Sequence, residues 1–129
     1  SLATPELVKN VANKISESYD IHGSVVVTVS AMGDTTDHLL KIASEISNSP
    51  DRRELDVLLS TGELQSCSLV AMALKDISKK AVSLSGIQAG IKTDASYGKA
   101  KIFDLDTNRI EEEISKGNIV IRVYLIIII

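Results

Sequence analysis

Cysteine, aromatic residues and proline are scarce in this sequence of 129 residues, and each scarcity excludes something. Cys67 stands alone, which rules out an intramolecular disulfide and a metal cluster built on cysteines. Aromatic residues make up 3% and tryptophan is absent, so a platform for stacking nucleic-acid bases is not expected. Fourteen basic residues face seventeen acidic ones, for a net charge of −3, with no basic cluster to track a phosphate backbone. The apolar stretch 119–129 falls far below the roughly 18–20 residues of a membrane-spanning helix. The start carries no leader pattern, so the expectation is a cytoplasmic protein with neither nucleic acid nor membrane as partner. The motifs GxxxxGK[ST], GxGxxG and HExxH are all missing.

The stretch 24–37, SVVVTVSAMGDTTD, is the most informative part of what is present. Residues 25–29 form an apolar, β-branched run too short for a stable helix, which predicts a strand buried on both faces. Small and polar residues follow at once: Ser30, Ala31, Gly33, Asp34, Thr35, Thr36 and Asp37. A helical apolar pattern then opens at Leu39, Leu40 and Ile42. A buried strand, a small-residue turn and a helix start are the parts of a ligand-binding corner in an α/β sheet. Free N–H groups and the positive dipole end at such a helix start favour an anion.

Around this corner the chain alternates helices and strands. Thr4, Pro5 and Glu6 open a helix over about 5–18, with Thr4 as cap and Pro5 at the first position. Strand 24–30 and helix 36–47 follow, and Asn48, Ser49, Pro50 and Asp51 break the pattern. The longest helix, 54–79, sets Leu55, Leu58, Leu59, Gly62, Ser66, Leu69, Val70, Ala73 and Ile77 on one stripe. Gly62 in its middle costs about 1 kcal/mol against alanine, which points to close approach by a neighbour. Glu63 lies at the edge of the stripe. Residues 81–85 and 100–104 read as strands, 86–94 as a glycine-containing loop, 107–116 as a helix stopped by Gly117, and 119 onward as the last strand. The pattern predicts one α/β domain with a largely parallel sheet.

Each candidate residue has a plain structural reading beside it. His22 and His38 are isolated and read as surface or turn residues, and Cys67 as a small core residue. The 30–37 turn is evenly balanced between an ordinary capped connection and a ligand site. Glu63, taken alone, reads as a solvated helix carboxylate.

Taken together, four segments say more. VSAMGDTTDHLL (29–40), ELDVLLSTGE (54–63), SGIQAGIKTD (85–94) and KAKIFDLDTNRIEEEISKGNIVI (99–121) resemble the catalytic domain of aspartokinases, in the same order. The resemblance implies the amino-acid kinase fold, a three-layer α/β/α sandwich, here incomplete. It also implies transfer of the γ-phosphoryl of ATP, with Mg²⁺, to the side-chain carboxylate of L-aspartate, the first step of lysine, threonine and methionine synthesis. Residue by residue, it implies that Ser30, and Ser1 at the end of an otherwise missing Lys-Phe-Gly-Gly-type motif, lie near the nucleotide phosphates. Asp34, Thr35, Thr36, Asp37 and His38 would line the aspartate site, with Thr36 in direct contact, and Glu63 would receive the ammonium. Such a reaction needs no general base, because the accepting carboxylate is already anionic.

The departures carry weight too. The lysine of the family's opening motif would lie before Ser1, so no catalytic group is assigned, and no metal ligand is either. After Ile121 the family pattern breaks off, leaving 122–129 as an apolar tail whose four terminal isoleucines read as the end of a truncated or misassembled segment. Residues 1–121 are therefore expected to be the aspartate-binding half of a catalytic domain, inactive alone, from a parent that forms homo-oligomers. A non-catalytic module that binds a small anion or a partner chain is the competing expectation.

Overall fold

A computed structural model describes residues 4–85, 91–93, 102–105 and 107–123. Its central element is the strand β5, Ile119–Val123, flanked in parallel by β1 (Val26–Val29) on one side and β2 (Ala81–Leu84) on the other. Side chains alternate across a strand. Ile119, Ile121 and Val123 accordingly join one buried cluster, and Val120 joins another with Leu84 and Ile110.

The helices α1 (Pro5–His22) and α3 (Arg52–Asp76) supply the first cluster, through Val8, Ala12 and Ile15 of α1 and Cys67, Val70 and Leu74 of α3. Ile110 and Ile114 of α4 (Asn108–Ser115) cover the opposite face. Helices on both faces of a parallel sheet make the expected three-layer α/β/α arrangement. A separate antiparallel pair joins β3 (Ile91–Thr93) to β4 (Ile102–Leu105).

Local chemistry sets the ends of α1. The hydroxyl of Thr4 accepts from the Leu7 amide at 3.2 Å, and Pro5 occupies the first turn. The helix runs beyond residue 18 to His22, where Gly23 at φ 77° provides the left-handed exit. That last turn is tethered. Tyr19 donates its hydroxyl to the Gly117 carbonyl at 3.2 Å, and Asp20 pairs with Lys79.

Three expectations need correction. β1 is not buried on both faces: Val26, 44% exposed, and Thr28 lie on the same face as Val120, where α4 packs on β5. The stretch 86–94, read as a loop, contains β3, whose three residues are too few to show an alternating pattern and are held by pairing with β4. Residues 86–90 and 94 lie outside the described residues.

The third correction concerns α3. Gly62, Ser66 and Val70 of the expected stripe are buried, but Asp56, Ser60, Glu63, Cys67, Ala71 and Leu74 complete the buried face in place of the leucines. Leu69 and Ile77 are each 38% exposed. Counting apolar residues misplaces this helix because small residues decide which face lies closest. Ser60, Gly62, Ser66, Cys67 and Ala71 let α3 settle against its neighbours. By length and composition α3 could cross a membrane, but its buried face supplies the core shared with α1 and the sheet. The last strand continues through Arg122, whose Nε donates to Thr28 Oγ1 at 2.9 Å across the β1–β5 ladder. Residues 124–129 lie outside the described residues.

Candidate functional site

The three parallel strands end at one edge of the sheet, at Val29, Leu84 and Val123. The chain leaves β1 there through Ser30, half-buried, and Ala31, buried, and turns at Gly33 (φ 46°) into α2, Thr35–Ile46. The Thr35 amide donates to the Met32 carbonyl at 2.9 Å, closing the turn.

The start of α2 differs from those of α1 and α3. Asp51 caps α3 by accepting from the Glu54 amide at 3.0 Å, as Thr4 caps α1. Asp34 holds the same position before α2, yet its side chain makes no capping bond. Thr107 before α4 likewise makes no capping bond to the backbone. Apart from the Thr35 amide, which the turn itself uses, the first-turn N–H groups of a helix have no intrahelical partner and carry the positive end of its dipole. Thr35 and Thr36 are half-buried at that end, whereas Asp34, Asp37 and His38 are exposed.

Gly62 brings α3 onto this corner. A methyl group there would lie 3.1 Å from Thr35 Cγ2 and 3.2 Å from Ala31 Cβ, both too close for comfort. The close approach expected of this glycine is therefore to the turn itself. Glu63, next along the helix, is buried against the same turn with 8% of its surface exposed.

Glu63 is unusual in its electrostatics. Burial pushes its carboxyl above the ordinary value, and the Ala31 backbone N–H partly opposes this by hydrogen bonding to the charged form. Its Oε2 atom is buried without a partner among the described residues. An ionised carboxylate there lacks compensation unless a cation or donor arrives. The reading as a solvated helix carboxylate does not hold.

Cys67, one turn further, is fully buried, with its thiol pushed up to about 12 by desolvation and then by the Glu63 charge. It is a core residue and no nucleophile at neutral pH. His22 and His38 are exposed, in keeping with a surface role.

The structure brings Ala31, Thr35, Gly62 and Glu63 into one contact region, with Ser30 and Thr36 on the same turn. Ser1 lies outside the described residues. Sequence reasoning missed the polar character of the buried α3 face, where Asp56, Ser60, Glu63 and Ser66 follow one another at helical spacing. Four polar residues three or four apart within one helix were the available signal. Among the described residues no group of three His, Cys, Asp or Glu side chains could hold a metal ion.

Comparison with known proteins agrees with this architecture. The model of the amino acid kinase family matches residues 1–123. The aspartokinase of Geobacillus stearothermophilus is 49% identical over 121 residues, which are 94% of this chain and 30% of that protein. The solved aspartate kinase from Synechocystis has a TM-score of 0.78 at 40% identity, covering 95% of this chain and 20% of that one. The aspartokinase III of E. coli, solved in complex with aspartate and ADP, shares the fold. It has a TM-score of 0.76 at 15% identity, covering 94% of this chain and 38% of that one. The chain spans about 30% of the length of the curated relatives it matches. With three layers, a parallel sheet and a family match over residues 1–123, this chain belongs to the amino acid kinase family.

Proposed function

We propose that this chain is the amino-acid-binding part of an aspartokinase, which moves the γ-phosphoryl of ATP to the side-chain carboxylate of L-aspartate. The observation that carries the proposal is Glu63: a buried carboxylate with one oxygen unpartnered, beside an uncapped helix start. A substrate bearing both an ammonium and a carboxylate suits this pair of features. Similarity to aspartokinases at 40–49% identity supports the choice of aspartate.

In this reading Glu63 receives the ammonium through charge-assisted hydrogen bonds, which restores its ionised form against desolvation. The N–H groups at the start of α2, with the Thr35 and Thr36 hydroxyls, hold a carboxylate of the substrate. Asp34, Asp37 and His38 border the site from the solvent side. In this reading Ser30, at the end of β1, meets nucleotide phosphate. The acceptor carboxylate needs no deprotonation, so Glu63 and Cys67 have no proton to take up. The chain's work is positioning and exclusion of water.

The described residues form no cage for Mg²⁺, which in this proposal accompanies the phosphates of ATP. A single cysteine, buried and protonated, suits a reducing cytoplasmic setting.

Steady-state kinetics of the full-length parent test the proposal. Thr36→Ala and Glu63→Gln are expected to raise the KM for aspartate or abolish turnover, with little change in the KM for ATP. Wild-type kinetics for both variants would overturn the assignment.

A further inference from the structure

Two buried side-chain atoms lack a hydrogen-bond partner among the described residues, Glu63 Oε2 and Ser66 Oγ, and they stand one helical turn apart on α3. Buried polar atoms in native proteins are nearly always satisfied, so two adjacent exceptions call for a shared cause.

The other hydroxyls of α3 near the site show what an idle serine or threonine does. Ser60 donates to the Val57 carbonyl at 2.7 Å, and Thr61 to the Leu58 carbonyl at 2.6 Å. Both fold back onto the preceding turn, a common resting arrangement for helical hydroxyls. Ser66 does not, although it is fully buried and has no solvent alternative.

Residues at i and i+3 on a helix place their Cβ atoms about 5–6 Å apart. A single water can bridge two oxygens carried at that spacing, and buried waters typically join groups that otherwise go unsatisfied. The Ala31 amide hydrogen-bonds to the Glu63 carboxylate, and Oε2, with two lone pairs, accepts both such a bridge and a substrate ammonium.

We propose that Ser66 is a positioning residue for the amino-acid substrate, its hydroxyl donating to a buried water that in turn donates to Glu63 Oε2. The water fixes the carboxylate in one orientation, and the substrate ammonium meets it there. This inference rests on the reading of Glu63 as the ammonium-binding group.

Ser66→Ala in the full-length parent separates this role from a packing role. Alanine removes a buried hydroxyl that has no direct protein partner, so packing alone predicts unchanged or raised thermal stability and unchanged kinetics. The proposal predicts retained stability together with an aspartate KM raised about tenfold, corresponding to one lost charge-assisted contact, while kcat and the KM for ATP stay within about twofold. Ser66→Cys replaces the hydroxyl with a larger and weaker donor at the same position, and is expected to move the aspartate KM in the same direction by less.

An unchanged aspartate KM in Ser66→Ala overturns the inference. So does a loss of stability together with a uniform change in all kinetic parameters, which would mark the substitution as a general disturbance of the fold. Glu63→Gln measured in parallel tells the two levels apart. If Glu63→Gln also leaves the aspartate KM unchanged, the reading of the site itself has failed; if it raises that KM and Ser66→Ala does not, only the role of Ser66 has failed.

Discussion

Gly62 and Thr35 meet so closely that a single methyl group on the glycine would stand 3.1 Å from Thr35 Cγ2. The contact ties the middle of the longest helix to the first turn of α2, and it sets how near Glu63 comes to the Ala31 amide.

Gly62→Ala therefore opposes two effects. Alanine gains about 1 kcal/mol of helix propensity, but overpacking against Thr35 and Ala31 costs about 1–3 kcal/mol. Ala31 Cβ at 3.2 Å is fixed to the backbone and cannot rotate away. The expected outcome is a parent enzyme destabilised by up to about 2 kcal/mol in denaturant titrations, with a raised aspartate KM.

Glu63 is expected to lower stability for the sake of binding. Its folded-state carboxyl titrates above the ordinary value, so its contribution is fully present below the unfolded pKa and is lost as pH rises through the folded one. Glu63→Gln should therefore raise the thermal midpoint at neutral pH while impairing aspartate use. Thermal scans at pH 5 and pH 8 check the sign, because the gain should be larger at pH 8.

Glu113 behaves in the opposite sense. Asn118 Nδ2 donates to its Oε2 at 2.7 Å and Arg109 Nε to its Oε1 at 3.1 Å. The Asn118 bond is the main cause holding this carboxyl below its ordinary value, with Arg109 and the Lys116 charge assisting. Its contribution is present above the unfolded pKa and is lost as pH falls through the lowered folded pKa. Asn118→Ala is expected to move the acid-unfolding midpoint to higher pH, with little effect on the aspartate KM.

Cys67 is expected to resist alkylation at pH 8 in the folded protein, because its thiol is fully buried and pushed up to about 12. It should react promptly once denaturant is added, and mass spectrometry of the modified peptide reads both states.

Much of this was legible in the sequence. Thr4 and Pro5 marked the start of α1, and the small and polar residues after β1 marked the turn into α2. Gly62 signalled a close approach, and the quoted segments named the family. The burial of Glu63 was not legible, because neighbouring leucines suggested a different buried face for α3. That face is chosen by the small residues Ser60, Gly62, Ser66 and Cys67, and by a turn nearly thirty residues earlier in the chain. Tertiary contacts of this kind leave little trace in local periodicity. The exposure of Val26 was likewise hidden, since an apolar run looks alike whether one face of its strand is covered or both.

The central claim is that Glu63 reads the substrate ammonium, and calorimetry on the full-length parent tests it most directly. L-aspartate is compared with succinate, which keeps both carboxylates and lacks the ammonium. Wild-type protein is expected to prefer aspartate strongly, and Glu63→Gln is expected to bind the two ligands alike. A Glu63→Gln variant that keeps the full preference for aspartate would contradict the account.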